Sequence, residues 1–152
     1  MIDIRALLPR EHIIFELAGA NRRAILRTMA EPLAAASLIT HLDEFLNDVE
    51  AREDEITTQV ADRVAMPHAR SAAVRRLVLV VGIADKPGLA FNPDVSKTCR
   101  LFFLIGVPAL APTAHLPLLQ HLANFAHDPK HVDKLLASEN HVQVVRCLAA
   151  KG

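Results

Sequence analysis

Two histidines stand in stretches that are otherwise almost wholly apolar. His68 follows Pro67 at the end of the small-residue run in VAMPHAR (64–70), and His115 opens AHLPLLQHLANFA, where Leu118, Leu119, Leu122, Phe125 and Ala126 recur at helical spacing. A histidine so placed can be a core residue, a metal ligand or a nucleophile. Its ordinary pKa near 6.5 leaves the neutral, nucleophilic imidazole abundant at pH 7, and a second group that hydrogen-bonds it can fix its tautomer. Arg52, in AREDE, offers a permanent positive charge, although an Arg near a helix C-terminus is also favoured there by the macrodipole.

Other chemistries find less support. The chain has eight histidines, with His121, His127 and His131 grouped, but Asp128-Pro129 breaks the helix between the last two and there is no HExxH or Cys/His framework, so no metal and no cofactor is expected. No G-x-S-x-G elbow exists for a serine hydrolase. Seventeen Lys plus Arg balance seventeen Asp plus Glu, and there is no Trp or Tyr to stack on bases, which argues against nucleic acid. No apolar run approaches the roughly 18 residues that suggest a membrane span, and Cys99 and Cys147 stand far apart, so the reading is a cytoplasmic chain with reduced thiols and no membrane insertion.

The elements that must position these residues follow from periodicity and punctuation. HIIFELAG (12–19) reads as a strand. Asn21 caps a helix in NRRAILRTMAEPLAAA, which Pro32 kinks or shortens. Thr40 is the expected cap of the next helix, in which Leu42, Phe45, Leu46 and Val49 form the buried face and Arg52 lies near the end. Strands are predicted over 63–66, 75–84 and 99–107, and the nearly unbroken apolar runs of the last two require cover on both faces. Between them DKPGLAFNPDVSKT is turn chemistry, with bends at Pro87-Gly88 and Asn92-Pro93. Asp128 with Pro129 opens one further helix, and Ser138 or Asn140 caps a last one. At 152 residues the order β, α, α, β, β, β, α, α, α gives a three-layer α/β single domain, 1–152, with a mixed β-sheet flanked by helices on both faces.

AREDEITTQVADRVAMPHAR resembles the active-site segment of enzyme IIA domains of the bacterial phosphoenolpyruvate-dependent phosphotransferase system, in the fructose, mannitol and nitrogen-regulatory branch. The likeness rests on Arg52-Glu53, Thr58 and Pro67-His68, continues through LAFNPDVSKTCRLFFLIGVP, and reaches His115-Leu116. It implies a phosphocarrier. His68 would accept a phosphoryl group from a small phosphohistidine carrier of HPr-like or NPr-like type and pass it to an EIIB component or use it to signal to a regulated target protein. By the same resemblance His115 is the second active-site histidine and Arg52 an electrostatic stabiliser, with Thr58 and Arg70 as candidate phosphate contacts. The helix beginning near Thr113 would add positive potential. A lone unit of this kind leans toward the nitrogen-regulatory type.

One departure stands out. The family's turn before the strand is glycine-rich, whereas ITTQVADR has no glycine. Left-handed geometry costs a residue with a Cβ about 1–2 kcal/mol, so the turn is expected to take another shape, with Arg63 and Arg70 partly restoring positive potential. This departure motivates a second reading, a regulatory or binding module on the same fold that no longer takes phosphate.

Overall fold

Two apolar runs set the layout. In the computed structural model, which describes residues 2–92 and 97–150, VLVVGI and LFFLIGVP pair as the central antiparallel strands and are almost wholly buried. In chain order the elements are α1 (Ile4–Leu7), a 3-10 turn (Arg10–His12), β1 (Ile13–Ile14), α2 (Arg22–Ala35), α3 (Leu42–Glu55), β2 (Val64–Ala65), β3 (His68–Ser71), β4 (Val78–Ile83), β5 (Leu89–Ala90), β6 (Thr98–Cys99), β7 (Leu101–Pro108), α4 (Leu116–Ala126), α5 (Pro129–Leu136) and α6 (His141–Ala149). β1 joins β4 in parallel, β2 and β3 both join the far side of β7 in parallel, and β5 with β6 forms a separate antiparallel pair.

Period-two alternation divides the core. Val78, Val80, Phe102 and Leu104 meet α2 and α3, while Leu79, Val81, Ile83, Leu101, Phe103, Ile105 and Val107 meet α4, α5 and α6. The expected mixed sheet with helices on both faces is thus the observed architecture. The two helices of the first face are also tied by charge, through Arg22 to Glu50 at 3.2 Å, Arg22 to Asp54 at 2.6 Å, Arg23 to Glu50 at 3.0 Å and Arg27 to Asp43 at 2.7 Å. This network orients α3, whose last turn carries the Arg52-Glu53 pair.

Several expectations need correction. The strand foreseen over 12–19 is confined to Ile13–Ile14, because Glu16 turns to φ 53° and ends the extended run. Pro32 neither shortens α2 nor stops it; the helix continues to Ala35. His41, and not Thr40, occupies the N-cap of α3, since the Thr40 hydroxyl is spent on the Ala73 carbonyl at 3.2 Å. α4 starts at Leu116 after a turn in which the Leu116 amide bonds Thr113, so its N-terminus lies beside His115 and not at Thr113. Residues 98–99, read as turn and as the start of the long strand, pair instead with Leu89–Ala90 in the small β5–β6 sheet. The Asn92-Pro93 bend lies partly outside the described residues. Asn21, Asp128 and Asn140 cap their helices as expected, each accepting a backbone N–H of the first turn.

The end of α2 carries a local strain that can be removed. Leu38 N–H bonds the Leu33 carbonyl at 2.9 Å and Ser37 N–H bonds Ala34 at 3.0 Å, a Schellman ending that places exposed Ser37 at φ 60°. Ser37→Gly is expected to stabilise the protein by about 1 kcal/mol, a rise in Tm of about 3 °C by calorimetry. An unchanged or lower Tm would show that the backbone there is unstrained.

Candidate functional site

His68 does not close a strand, as the sequence suggested; it opens one. β2 and β3 keep one register against β7 across Met66-Pro67, with Ala65 opposite Phe102 and His68 opposite Ile105, and the Ile105 amide reaches the Pro67 carbonyl at 3.0 Å. Pro67 has no N–H, so the ladder lapses there without slipping. Met66 uses its peptide groups elsewhere. Its N–H bonds the Thr58 carbonyl at 2.9 Å, and its carbonyl accepts from His68 Nδ1 at 2.8 Å.

That last bond fixes a tautomer. A carbonyl only accepts, so Nδ1 carries the proton and Nε2 keeps its lone pair. Because Ala65 and Ala69 lie in the core against α2 and α3, alternation directs His68 and Arg70 towards the other face, where α4 packs. There the His115 ring stands 5.8 Å from that of His68, centroid to centroid, tilted by 40°. His115 is 8% exposed, and its Nδ1 is buried with no hydrogen-bond partner among the described residues. An orphaned lone pair is tolerated better than an orphaned N–H, so the neutral ring carries its proton on Nε2.

Both imidazoles are held neutral. Burial pushes the pKa of His68 down, with the Arg52 cation acting in the same direction, against the opposing effects of the Met66 carbonyl and the Glu53 carboxylate. Burial likewise lowers His115, helped by His68 and Arg70. Arg52 donates from Nη1 to the Ile56 carbonyl at 2.9 Å, closing the end of α3 while keeping its charge within reach of His68. Arg70 is exposed on β3. Arg63 is turned away: it pairs with Asp133 of α5 at 2.7 Å and is engaged there.

Thr58 is placed differently from a free phosphate contact. It is 3% exposed, and both its donors, the amide at 2.8 Å and the hydroxyl, are given to the carboxylate of Glu53. The sequence reading grouped Glu53 with Arg52 but gave it no task. A signal was available: Phe45, Val49 and Glu53 recur every fourth residue, which sets the carboxylate on the buried face of α3. The turn itself has a single left-handed residue, Arg63 at φ 68°, and is otherwise braced by side chains, with Asn92 donating to Gln59 at 3.0 Å and the Gln59 amide to Thr57 at 3.1 Å.

Fold and site define a mixed-sheet α/β domain that presents two neutral imidazoles, one with its nucleophilic nitrogen fixed. Residues 6–151 match the sequence profile described as phosphoenolpyruvate-dependent sugar phosphotransferase system, EIIA 2, and the chain belongs to that family, whose domains relay phosphoryl groups. It is 28% identical over 147 residues to the PTS system fructose-specific EIIA component of Haloferax volcanii, covering 97% of this chain and 95% of that protein. It spans only 17–23% of the length of multi-component relatives such as the multiphosphoryl transfer protein of Escherichia coli O157:H7. Among solved structures, the nitrogen regulatory protein IIA-Ntr from Neisseria meningitidis superposes with a TM-score of 0.84 at 23% identity, covering 96% of this chain and 99% of that one. Enzyme IIA of the mannitol system, solved in complex with phosphorylated enzyme IIB from Escherichia coli, gives 0.79 at 19% identity, covering 95% and 98%.

The geometry makes a spectroscopic prediction. Nitrogen-15 NMR of the imidazoles is expected to show opposite neutral tautomers, Nδ1–H at His68 and Nε2–H at His115, with both midpoints below the ordinary 6.5. Arg52→Met is expected to raise the His68 midpoint and Arg70→Ala that of His115. Since the unfolded chain binds these protons first, stability should fall as the pH drops from about 6.5 towards the folded pKa values. Midpoints at or above 6.5 would contradict the assigned field.

Proposed function

We propose that this chain is a phosphocarrier in which His68 accepts a phosphoryl group through Nε2 from an HPr-like or NPr-like phosphohistidine carrier. The observation that carries the reading is the fixed Nδ1–H tautomer of His68 beside a second neutral imidazole. In the step, the Nε2 lone pair forms the new N–P bond as the donor's N–P bond breaks. The donor imidazole leaves with its electron pair, and His68 keeps its proton on Nδ1, hydrogen-bonded to the Met66 carbonyl. The loose transition state spreads charge over three phosphoryl oxygens, for which the neighbouring His115 Nε2–H is a candidate donor and Arg52 and Arg70 supply positive potential. Thr58 serves the site by holding the turn.

Protein donors and acceptors need a surface. Ile56 at the end of α3, Leu110 in the loop from β7 to His115, and Leu116 beside His115 are 69%, 100% and 52% exposed, an apolar rim suited to transient docking. The receiver would be an EIIB component, as in the mannitol complex, within a sugar relay of the kind the fructose-specific relative is named for. Nitrogen-regulatory signalling to a target protein is the finer alternative; the likeness to IIA-Ntr supports it at the level of fold. The relay would run in the cytoplasm, as membership of the phosphotransferase family suggests; no helix among the described residues is long and apolar enough to cross a membrane. The glycine-free turn is the one feature that favours the phosphate-independent module.

Incubation with a phosphorylated carrier, followed by intact mass, should give one acid-labile adduct that is absent in His68→Ala. His115→Ala is expected to slow its formation by roughly 10²-fold. No adduct, from a carrier that phosphorylates a conventional enzyme IIA in parallel, would sink the relay and leave the binding module.

A further inference from the structure

Glu53 poses a problem of stability that the fold does not answer. The residue is 5% exposed, and among the described residues its carboxylate forms no ion pair. An apolar side chain at position 53 would simply extend the Phe45–Val49 stripe, whereas a buried carboxylate costs several kcal/mol unless hydrogen bonds compensate it. The compensation is specific. Thr58 alone provides the two bonds found, from its amide and its hydroxyl, and hydrogen bonds to an ionised acceptor are the strong kind.

The bonds continue beyond Thr58. Its carbonyl accepts the Met66 N–H at 2.9 Å, and the Met66 carbonyl accepts His68 Nδ1–H at 2.8 Å. We propose that Glu53 is a positioning residue for the His68 imidazole, acting through Thr58 and the Met66 peptide to hold Nε2 unprotonated and aimed at the incoming phosphoryl group. This rests on the phosphocarrier reading above. It also accounts for how the turn manages without glycine. Where a glycine turn would shape itself through backbone freedom, this one is pinned at Thr58 by the carboxylate, at Gln59 by Asn92 and at Ile56 by Arg52, so that residues with a Cβ hold the Thr58 carbonyl opposite Met66.

The role is separable from mere packing. Glu53→Met keeps the length of the side chain and removes both acceptors of Thr58, whereas Gln could keep both bonds by donating its amide N–H to the hydroxyl. Thr58→Val removes the hydroxyl and keeps the amide bond, and Thr58→Ser restores both donors. In Glu53→Met and Thr58→Val, nitrogen-15 NMR should show His68 leaving the single Nδ1–H form for a mixture of tautomers while His115 keeps its own. Phosphorylation by the carrier should slow roughly ten- to a hundredfold in kcat with KM for the carrier unchanged, since misplacement of about 1 Å can cost 10²-fold. Thr58→Ser should behave as wild type. A folded Glu53→Met whose His68 tautomer and rate match wild type overturns the proposal, and if that variant does not fold, Thr58→Val with wild-type tautomer and rate does the same. Were wild type to take no phosphoryl group at all, the phosphocarrier reading would fall, while the tautomer comparison would still decide whether Glu53 positions His68.

Discussion

The site depends on the peptide groups of Met66. They belong to an edge strand that has to stay in register with β7 on both sides of a residue that cannot donate to the ladder. Because Pro67 interrupts the pairing without shifting it, the alternation of faces survives: Val64 and Met66 lie in the core beneath α4 to α6, Ala65 and Ala69 in the core against α2 and α3. Had the strand slipped by one residue, His68 would point at α3 and Ala69 at His115. The proline therefore does two things at once. It frees the backbone near the histidine from the ladder, and it leaves the side-chain order intact.

Around this strand, elements from both layers converge. α3 brings Arg52 and Glu53 from one side of the sheet, and the turn before α4 brings His115 from the other. β7 links them, since it pairs with β2 and β3 while both its faces are buried. Positions on buried strands and long amphipathic helices vary little, because interiors are packed as densely as molecular crystals. The pair of imidazoles inherits that rigidity although both stand near the end of an element.

How much of this could be read in the chain follows from which forces act locally. The buried runs of β4 and β7, the stripe of α3 and the caps at Asn21, Asp128 and Asn140 were legible because each depends on residue type and spacing alone. Pairing His68 with His115 was legible from the resemblance, and the mixed sheet from its two apolar runs. β3 was not, since His-Ala-Arg-Ser carries no β-branched or aromatic residue and owes its extended form to β7. The end of β1 was hidden for a similar reason: nothing in Phe-Glu-Leu announces a left-handed Glu16. The clamp between Glu53 and Thr58 could be half seen, as a carboxylate on an apolar stripe, but its partner is set by how the turn folds back. Arg63 shows the same limit, for its charge was weighed at the histidines and is spent on Asp133.

On the proposed phosphocarrier reading, the depressed pKa values and the phosphoryl chemistry are two views of one field. Burial resists a proton on both imidazoles; Arg52 adds to this at His68, where the Met66 carbonyl and the Glu53 carboxylate oppose it, and His68 and Arg70 add to it at His115. The cationic part of that resistance changes sign for an anion. A phosphoryl group carries about −1.5 to −2 charges near neutral pH, so a potential that costs the imidazolium about 1.4 kcal/mol per pKa unit favours the phosphoryl group by a comparable or larger amount. Burial does not reverse in this way, since it penalises charge of either sign. A site that rejected protons by burial alone would therefore also reject phosphate. On the proposed phosphocarrier reading, two guanidinium groups beside a pair of half-buried and buried rings would make proton exclusion and phosphoryl acceptance compatible.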